Sequence, residues 1–380
     1  MWQDQSNKID NDTLAVFLEV AIDLTDNLTL EVGGRYSEDE KNMDKTNALG
    51  IGIPGDGTVY VNSDYSLTEA GAADSLSSQL LVAVWGGGFN RWPYDASLKR
   101  TENHFDPSVR LLWDISVDTM SYLSYSTGYK SGGFNSTSDQ FNADNTPGDG
   151  AEFGDETAAA WELGVKTSLW DQRARLSAAV FYTEIDDLQV SSFQGISFLV
   201  GNAAEMTSQG VEVDGQFAVT ENLELGGAIA YLDNEYEDFP SASCTIYQAA
   251  ATPSGETCTQ NLKGESGAFA PEWSSNLYAQ FEYPLGDNLL LNLRGDASYK
   301  DDYYTSADND PNGLQDSFWK YNARISLSDQ GGTWEVAAYG RNLTDEATTS
   351  FTIAAPLGAG IYGNGREEPR VYGMQARYNF

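Results

Sequence analysis

The chain closes on REEPRVYGMQARYNF, residues 366–380. Counting back from Phe380, alternate positions are Tyr378, Ala376, Met374 and Tyr372, and between them lie Asn379, Arg377, Gln375 and Gly373. One face is apolar with aromatics at both ends and the other is polar, which is the period-2 signature of a β-strand. The pattern recurs upstream. Leu14, Val16, Leu18, Val20 and Ile22 share a face, as do Leu28, Leu30, Val32 and Tyr36. Trp161, Leu163, Val165 and Leu169 oppose Glu162, Lys166 and Ser168; Trp319, Tyr321, Ile325 and Leu327 oppose Lys320, Asn322, Arg324 and Ser326. Helical spacing fits none of these stretches, so the chain reads as nearly all β.

Composition narrows what such strands serve. Across 380 residues, 57 Asp and Glu stand against 21 Lys and Arg, a formal net charge of −36. That balance excludes nucleic acid, whose phosphates need a basic surface, and docking on anionic lipid through a polybasic patch. Acidity alone would suggest disorder, but 21 Tyr, 16 Phe and 9 Trp supply ample burial, so the chain folds. The opening MWQDQSNKIDNDTL has neither the charged nor the apolar region of a signal peptide. No run approaches the roughly 18 apolar residues a membrane helix requires.

Thirteen strands are expected, at 12–23, 28–42, 105–115, 119–133, 157–169, 174–190, 206–219, 223–236, 272–285, 289–303, 317–328, 333–348 and 369–380. Their connections alternate. Tight turns fall at 24–27, 116–118, 170–173, 220–222, 286–288 and 329–332; long Gly, Asp, Asn and Ser-rich loops fall near 44–102, 134–155, 237–269, 304–316 and 350–367. A soluble sandwich would simply solvate its polar face and has no reason to gather every long loop at one end. An antiparallel transmembrane β-barrel has that reason, with short periplasmic turns, long extracellular loops and a hydrated lumen. Aromatics on the apolar face near strand ends (Tyr36, Trp161, Tyr299, Trp319) suit its interfacial girdles. An odd strand count does not suit a closed single-chain bacterial barrel, and an unpaired edge in lipid is costly.

Several segments resemble the TonB-dependent outer-membrane receptors. They are DPSVRLLWDISVDTMSYLSYSTGYKSGGFN (106–135), ETAAAWELGVKTSLWDQRARLSAAVFYTEIDDLQV (156–190) and GNAAEMTSQGVEVDGQFAVTENLELGGAIAYLDNEYEDF (201–239), then APEWSSNLYAQFEYPL (270–285), YGRNLTDEATTSF (339–351) and the terminal strand. Each is weak alone; six in the family's order make a specific match. The resemblance implies that residues 1–380 are the C-terminal part of a 22-strand barrel, with the signal peptide, TonB box and plug domain lying elsewhere. It further implies contact with the TonB complex only through that other part, a lipid and lipopolysaccharide setting, and uptake of a scarce ligand such as a ferric siderophore. Tyr372, Met374, Tyr378 and Phe380 resemble the signal read by the barrel-assembly machinery. A stand-alone passive porin or structural barrel is the alternative.

Chemistry beyond transport finds little support. His104 is the single histidine, so a base-dependent hydrolase or a multi-His metal site is not expected, and no cofactor is expected. Cys244 and Cys258 share the 237–269 loop and read as a disulfide in an exported chain. DNDPNG (308–313) opens like a calcium loop, but position twelve is Trp319 and a strand follows, so a solvated acidic turn is preferred. Ligand contacts are expected from Trp85, Phe89, Arg91, Trp92 and Tyr94 in the longest loop, and from Tyr303 and Tyr304; aromatic walls with one cation suit an iron chelate, and a sugar nearly as well.

Overall fold

The structure, a computed structural model, describes residues 2–53, 57–61, 67–68, 94–136, 148, 150–194, 197–253, 258–355 and 360–380. Its frame is a set of thirteen long strands: β1 (Trp2–Thr25), β2 (Leu28–Ile53), β3 (Tyr94–Ser116), β4 (Thr119–Lys130), β5 (Glu156–Leu169), β6 (Ala174–Gln194), β7 (Ser197–Ala218), β8 (Leu223–Asp238), β9 (Trp273–Leu285), β10 (Leu289–Lys300), β11 (Phe318–Asp329), β12 (Trp334–Arg341) and β13 (Val371–Tyr378). Each pairs antiparallel with its sequence neighbour, and a short piece, Gly57–Val61, pairs with the far end of β2. Among the described residues β1 pairs only with β2 and β13 only with β12, so the sheet has two free edges.

Register decides the faces. Reading across the ladders, Val20 opposes Val32, Val32 opposes Val109, Leu111 opposes Leu123, and Leu123 opposes Leu163. The row continues through Val180, Val211 and Tyr231 to Trp273, and further on Leu293 opposes Ile325 and Ala338 opposes Met374. A period of two allows no slippage without turning a strand's apolar set to the other face. This apolar face is exposed, not buried: Leu14 is 66% accessible, Leu18 71% and Met374 80%. A sandwich would cover those residues with a second sheet; the other sheets among the described residues are two-stranded pieces within the connections, and the apolar face stays exposed. The apolar face therefore meets lipid.

Aromatics bound the band on both sides. Toward the long connections lie Tyr36 opposite Phe105, Tyr125 opposite Trp161, Tyr231 opposite Trp273, and Tyr299 opposite Trp319. Trp113, Phe281, Trp334 and Tyr378 lie toward the short turns. From Phe105 to Trp113 the strand rises about 27 Å at ~3.4 Å per residue, the scale of a bilayer's apolar core crossed at a tilt.

Strand lengths differ from the alternation's limits. β1 begins at Trp2 rather than 12, β2 runs to Ile53 rather than 42, β3 starts at Tyr94 rather than 105, and β6 and β7 meet in a tall hairpin. These extensions stand above the band, where water reaches both faces and nothing enforces alternation, yet the ladder continues without a shift from Leu28–Trp113 to Asn47–Tyr94. β12 ends earlier than expected, at Arg341. Asn342 adopts φ 47° and Asp345 φ 58°, and the buried Asn342 side chain closes the turn by accepting from Glu346 N (2.8 Å) and donating to Glu346 O (2.9 Å).

Candidate functional site

Among the described residues, parts of two long connections fold onto the inner face of the strands. Met43 and Leu98 oppose each other on the inner face of β2 and β3, an apolar spot on a face that otherwise carries polar residues such as Asp39, Lys41, Arg100 and Glu102. Phe134 and Ala151 cover it, making a buried cluster with Ala96. The covering piece is a small hairpin, Gly133–Phe134 against Glu152–Phe153. A second cluster forms where Met206 and Tyr236, on the inner face of β7 and β8, are covered by Phe239, Ala242 and Leu262 of the 239–272 connection.

Polar groups pin the first hairpin. Lys41 Nζ donates to Ser131 Oγ (2.7 Å) and Gly132 O (2.6 Å). Gly132 N donates to Glu102, which Arg100 also engages. His104 Nε2 lies 3.1 Å from Asp155 Oδ2, and its ring stacks on Tyr129, whose hydroxyl donates to Asp39. Asn202 Nδ2 donates to three carbonyls, Gly154, Asp155 and Asp187; Gln189 Nε2 does the same for Lys130, Ser131 and Gly154. Gly132 has no room for a Cβ, which would fall 2.4 Å from Phe153 O. The lone histidine is thus a structural part of this latch.

The remaining connections interlock. Gln260 Nε2 donates to Asp308 O (2.7 Å), Asn309 Nδ2 to Ser266 O (2.9 Å), and Thr305 Oγ1 to Thr352 Oγ1 (2.8 Å). Asp310 accepts from Asn312 N on one oxygen and from Tyr362 OH (2.8 Å) on the other. Burial first, then that carboxylate, pushes the Tyr362 phenol up to about 12. Glu367 is drawn below the usual carboxylate range: burial works against it, but hydrogen bonds from Lys320 and Thr348, with the lysine's charge, outweigh burial. Cys244 and Cys258 form a disulfide (Cα–Cα 5.8 Å) beside a one-turn helix, Ile246–Ala251. Asn135 ties the first hairpin to the upper end of β7, exchanging hydrogen bonds of 2.8 Å with Val200 N and O.

Below the roof the inner wall is polar and low. Tyr122 lies across Gly164, Tyr278 across Gly226 and Tyr339 across Gly373, each glycine leaving room for the ring opposite. Tyr122 and Tyr278 donate to Glu162 and Glu224 along the wall. Ion pairs Arg110–Glu31, Arg294–Asp296 and Arg324–Glu335 complete it.

Of the residues singled out for ligand contact, Trp85, Phe89, Arg91 and Trp92 lie outside the described residues, and Tyr94 is described by its backbone alone, opposite Asn47. Tyr303 is buried under the roof near Phe269 and Lys300; Tyr304 is half-buried, its carbonyl accepting from Phe269 N. Tyr372, Met374, Tyr378 and Phe380 are all exposed on the outer face. Sequence reasoning missed the latch formed by Lys41, Glu102, Asn202 and their neighbours. The paired glycines of SGGFN, placed directly after a strand, were the visible signal.

The family model described as "TonB dependent receptor-like, beta-barrel" matches residues 3–343. Among solved structures, the ferric yersiniabactin uptake receptor FyuA from Yersinia pestis is similar at 16% identity and TM-score 0.70, with 100% of this chain covered and 47% of that one. The ferric-catecholate import receptor Fiu from E. coli, in its closed form, is similar at 15% identity and TM-score 0.65, covering 98% and 45%. The ferric preacinetobactin receptor BauA from Acinetobacter baumannii is similar at 15% identity and TM-score 0.54, covering 98% and 54%. The chain spans about half the length of these structures.

Proposed function

This chain belongs to the TonB-dependent receptor β-barrel family, a non-enzymatic outer-membrane transport family, and we propose that it is the C-terminal part of a receptor that imports a scarce ligand, a ferric siderophore. The observation that carries this reading is the inward fold of the connections. A passive pore is served by an open mouth; a capture receptor is served by a roofed vestibule whose segments are tied to one another and to the wall. The low inner wall supports the same reading, because tyrosines laid flat over glycines suit a close-fitting body in the lumen. That body is the plug supplied outside residues 1–380, and it carries the contact with the TonB complex.

The free edges of β1 and β13 pair with further strands of the same barrel, since unpaired backbone groups in lipid cost several kcal/mol each. Tyr372, Met374, Tyr378 and Phe380 serve the assembly machinery. Trp85, Phe89, Arg91, Trp92 and Tyr94, with Tyr304 at the roof's edge, are the ligand-facing set. Carboxylates on the outer face above the girdle, such as Glu38 and Asp233, meet lipopolysaccharide through divalent cations.

Energy dependence tests the reading. Cells expressing the gene that encodes this chain should accumulate radioactive iron from a ferric chelate, and an uncoupler should abolish the uptake. Uptake that survives the uncoupler and scales with external concentration would make the barrel a porin.

A further inference from the structure

Two grooves open on the inner wall and meet. One, of about 660 Å³, lies over β9–β13 between Ser298, Arg324 and Arg341; the other, of about 460 Å³, lies over β6–β9 between Arg175 and Asp214. Asn276 and Tyr278 line both, so the two make one trough. Its course follows the ladder. Arg175 opposes Gln216, Gln216 opposes Gly226, Gly226 opposes Tyr278, Tyr278 opposes Asp296, and Asp296 opposes Asn322. Arg175 stands one residue from the short-turn end of β6, whereas Arg341 closes β12 at the opposite end. The row is oblique because the strands are tilted. Six strand spacings of ~4.8 Å, at a tilt of about 35–45°, climb about 17–20 Å of a band ~25 Å tall.

The next inward row, Ser177, Asp214, Ala228, Asn276, Ser298 and Lys320, is as polar as the first. Tyrosine apart, neither row holds an apolar side chain larger than that of Ala228. Other parts of the inner wall do carry such groups: Phe17 on β1 is 77% exposed, and Phe181 stands between Glu162 and Gly210. The polar groups of the trough satisfy one another. Tyr278 donates to Glu224 (2.6 Å), Arg294 donates to Asp296 (2.9 Å) and Gln280 (3.1 Å), Arg324 pairs with Glu335, and Asn322 accepts from Asn342 N (2.9 Å). A permanent docking surface needs an apolar, desolvated centre, and the trough has none. A passage needs the reverse: groups that exchange hydrogen bonds with a solute, through water, and hold it weakly enough to let it leave. We propose that this trough is the path along which the transported solute crosses the band, between the wall of β6–β12 and the body in the lumen. The solute it fits is a water-soluble chelate whose outer atoms are amide, hydroxyl or carboxylate. This rests on the receptor reading above and adds where on the wall the solute travels.

The test uses the complete receptor that contains this chain, in cells taking up radioactive iron offered as a ferric trihydroxamate or a ferric tris-catecholate. Ala228→Cys and Ser298→Cys place single thiols in the trough; Ser126→Cys and Ala158→Cys place them on the inner wall of β4 and β5, away from it. Cys244 and Cys258 are joined to each other and do not compete for the reagent. During uptake each variant is treated with a methyl methanethiosulfonate or with one carrying a bulky sulfonated group, and is compared only with itself. In Ala228→Cys and Ser298→Cys the bulky adduct should lower uptake at least about tenfold relative to the methyl adduct, and in Ser126→Cys and Ala158→Cys by less than about twofold. A trough cysteine that stays unmodified during uptake, or that tolerates the bulky group, overturns the path and leaves the receptor reading standing. Equal losses in all four variants do the same, because the trough is then used no more than the rest of the wall. Uptake of neither chelate by the parent, or uptake that survives an uncoupler, overturns the receptor reading and the path with it.

Discussion

Gly164→Ala puts the inner wall's construction to a quantitative test. A Cβ there would lie 2.4 Å from Tyr122 Cε1 and Cζ and 2.5 Å from its hydroxyl, where ordinary contact begins near 3.4 Å. The ring, directly opposite across the β4–β5 ladder, has to leave the wall. Leaving it breaks the Tyr122–Glu162 hydrogen bond, worth about 1.5–3 kcal/mol to a charged acceptor and less at a hydrated wall where screening is strong. Overpacking adds about 1–3 kcal/mol; the loss of glycine's unfolded-state freedom returns about 0.4–1 kcal/mol. The net expectation is a destabilisation of about 1–3 kcal/mol, read by urea unfolding in lipid vesicles of the complete receptor that contains this chain, through tryptophan fluorescence. Gly295→Ala is the control, because nothing lies within 4 Å of its Cβ position; it should be neutral or slightly stabilising. The coupling is the sharper reading. In a Tyr122→Ala background the Gly164→Ala penalty should vanish. Full additivity of the two substitutions, or a Gly164→Ala protein as stable as the parent, refutes the paving argument.

Other consequences are local to the roof. Asn202→Ala removes four hydrogen bonds that hold Gly154, Asp155 and Asp187, so amide exchange should accelerate in 131–136 and 150–155 while β9–β11 stay protected. Cys244→Ser with Cys258→Ser should release about 3 kcal/mol of order in the loop between them; limited proteolysis should then cut within 239–272, with barrel strands unaffected. Tyr362 has a folded pKa raised from 10.0 to about 12, so its contribution is fully present below pH 10 and is lost as pH rises through about 12. The difference in tyrosinate absorbance between the parent and Tyr362→Phe should therefore show one phenol with a midpoint near 12, and a difference midpoint near 10 would count against its pairing with Asp310.

Membrane crossing was legible in the sequence because lipid enforces a rule residue by residue. On β10, Leu291, Leu293 and Tyr299 must face hydrocarbon and Asn292, Arg294 and Asp296 must not, so a two-residue period survives in the string. The terminal strand repeats that logic, and register carries it from β1 to β13. Above the girdle the rule lapses. Glu38, Asp39, Glu40 and Lys41 alternate nothing, yet β2 runs on through them, since a ladder once begun extends until a turn interrupts it. What ends a strand there is a single side chain, as Asn342 ends β12, and single side chains leave no period to detect. The latch is hidden for a related reason: Lys41, Glu102, Asn202 and Gly154 meet across more than a hundred residues, and each alone looks like a solvated polar residue. The one feature that could have betrayed it is Gly132, where the Phe153 carbonyl leaves no space for a side chain. A glycine that no turn demands, two residues past a strand's end and followed by Gly133 and Phe134, signals another backbone lying against it. By that argument Gly132→Ala should unseat the hairpin from the wall more completely than loss of any one of its polar pins.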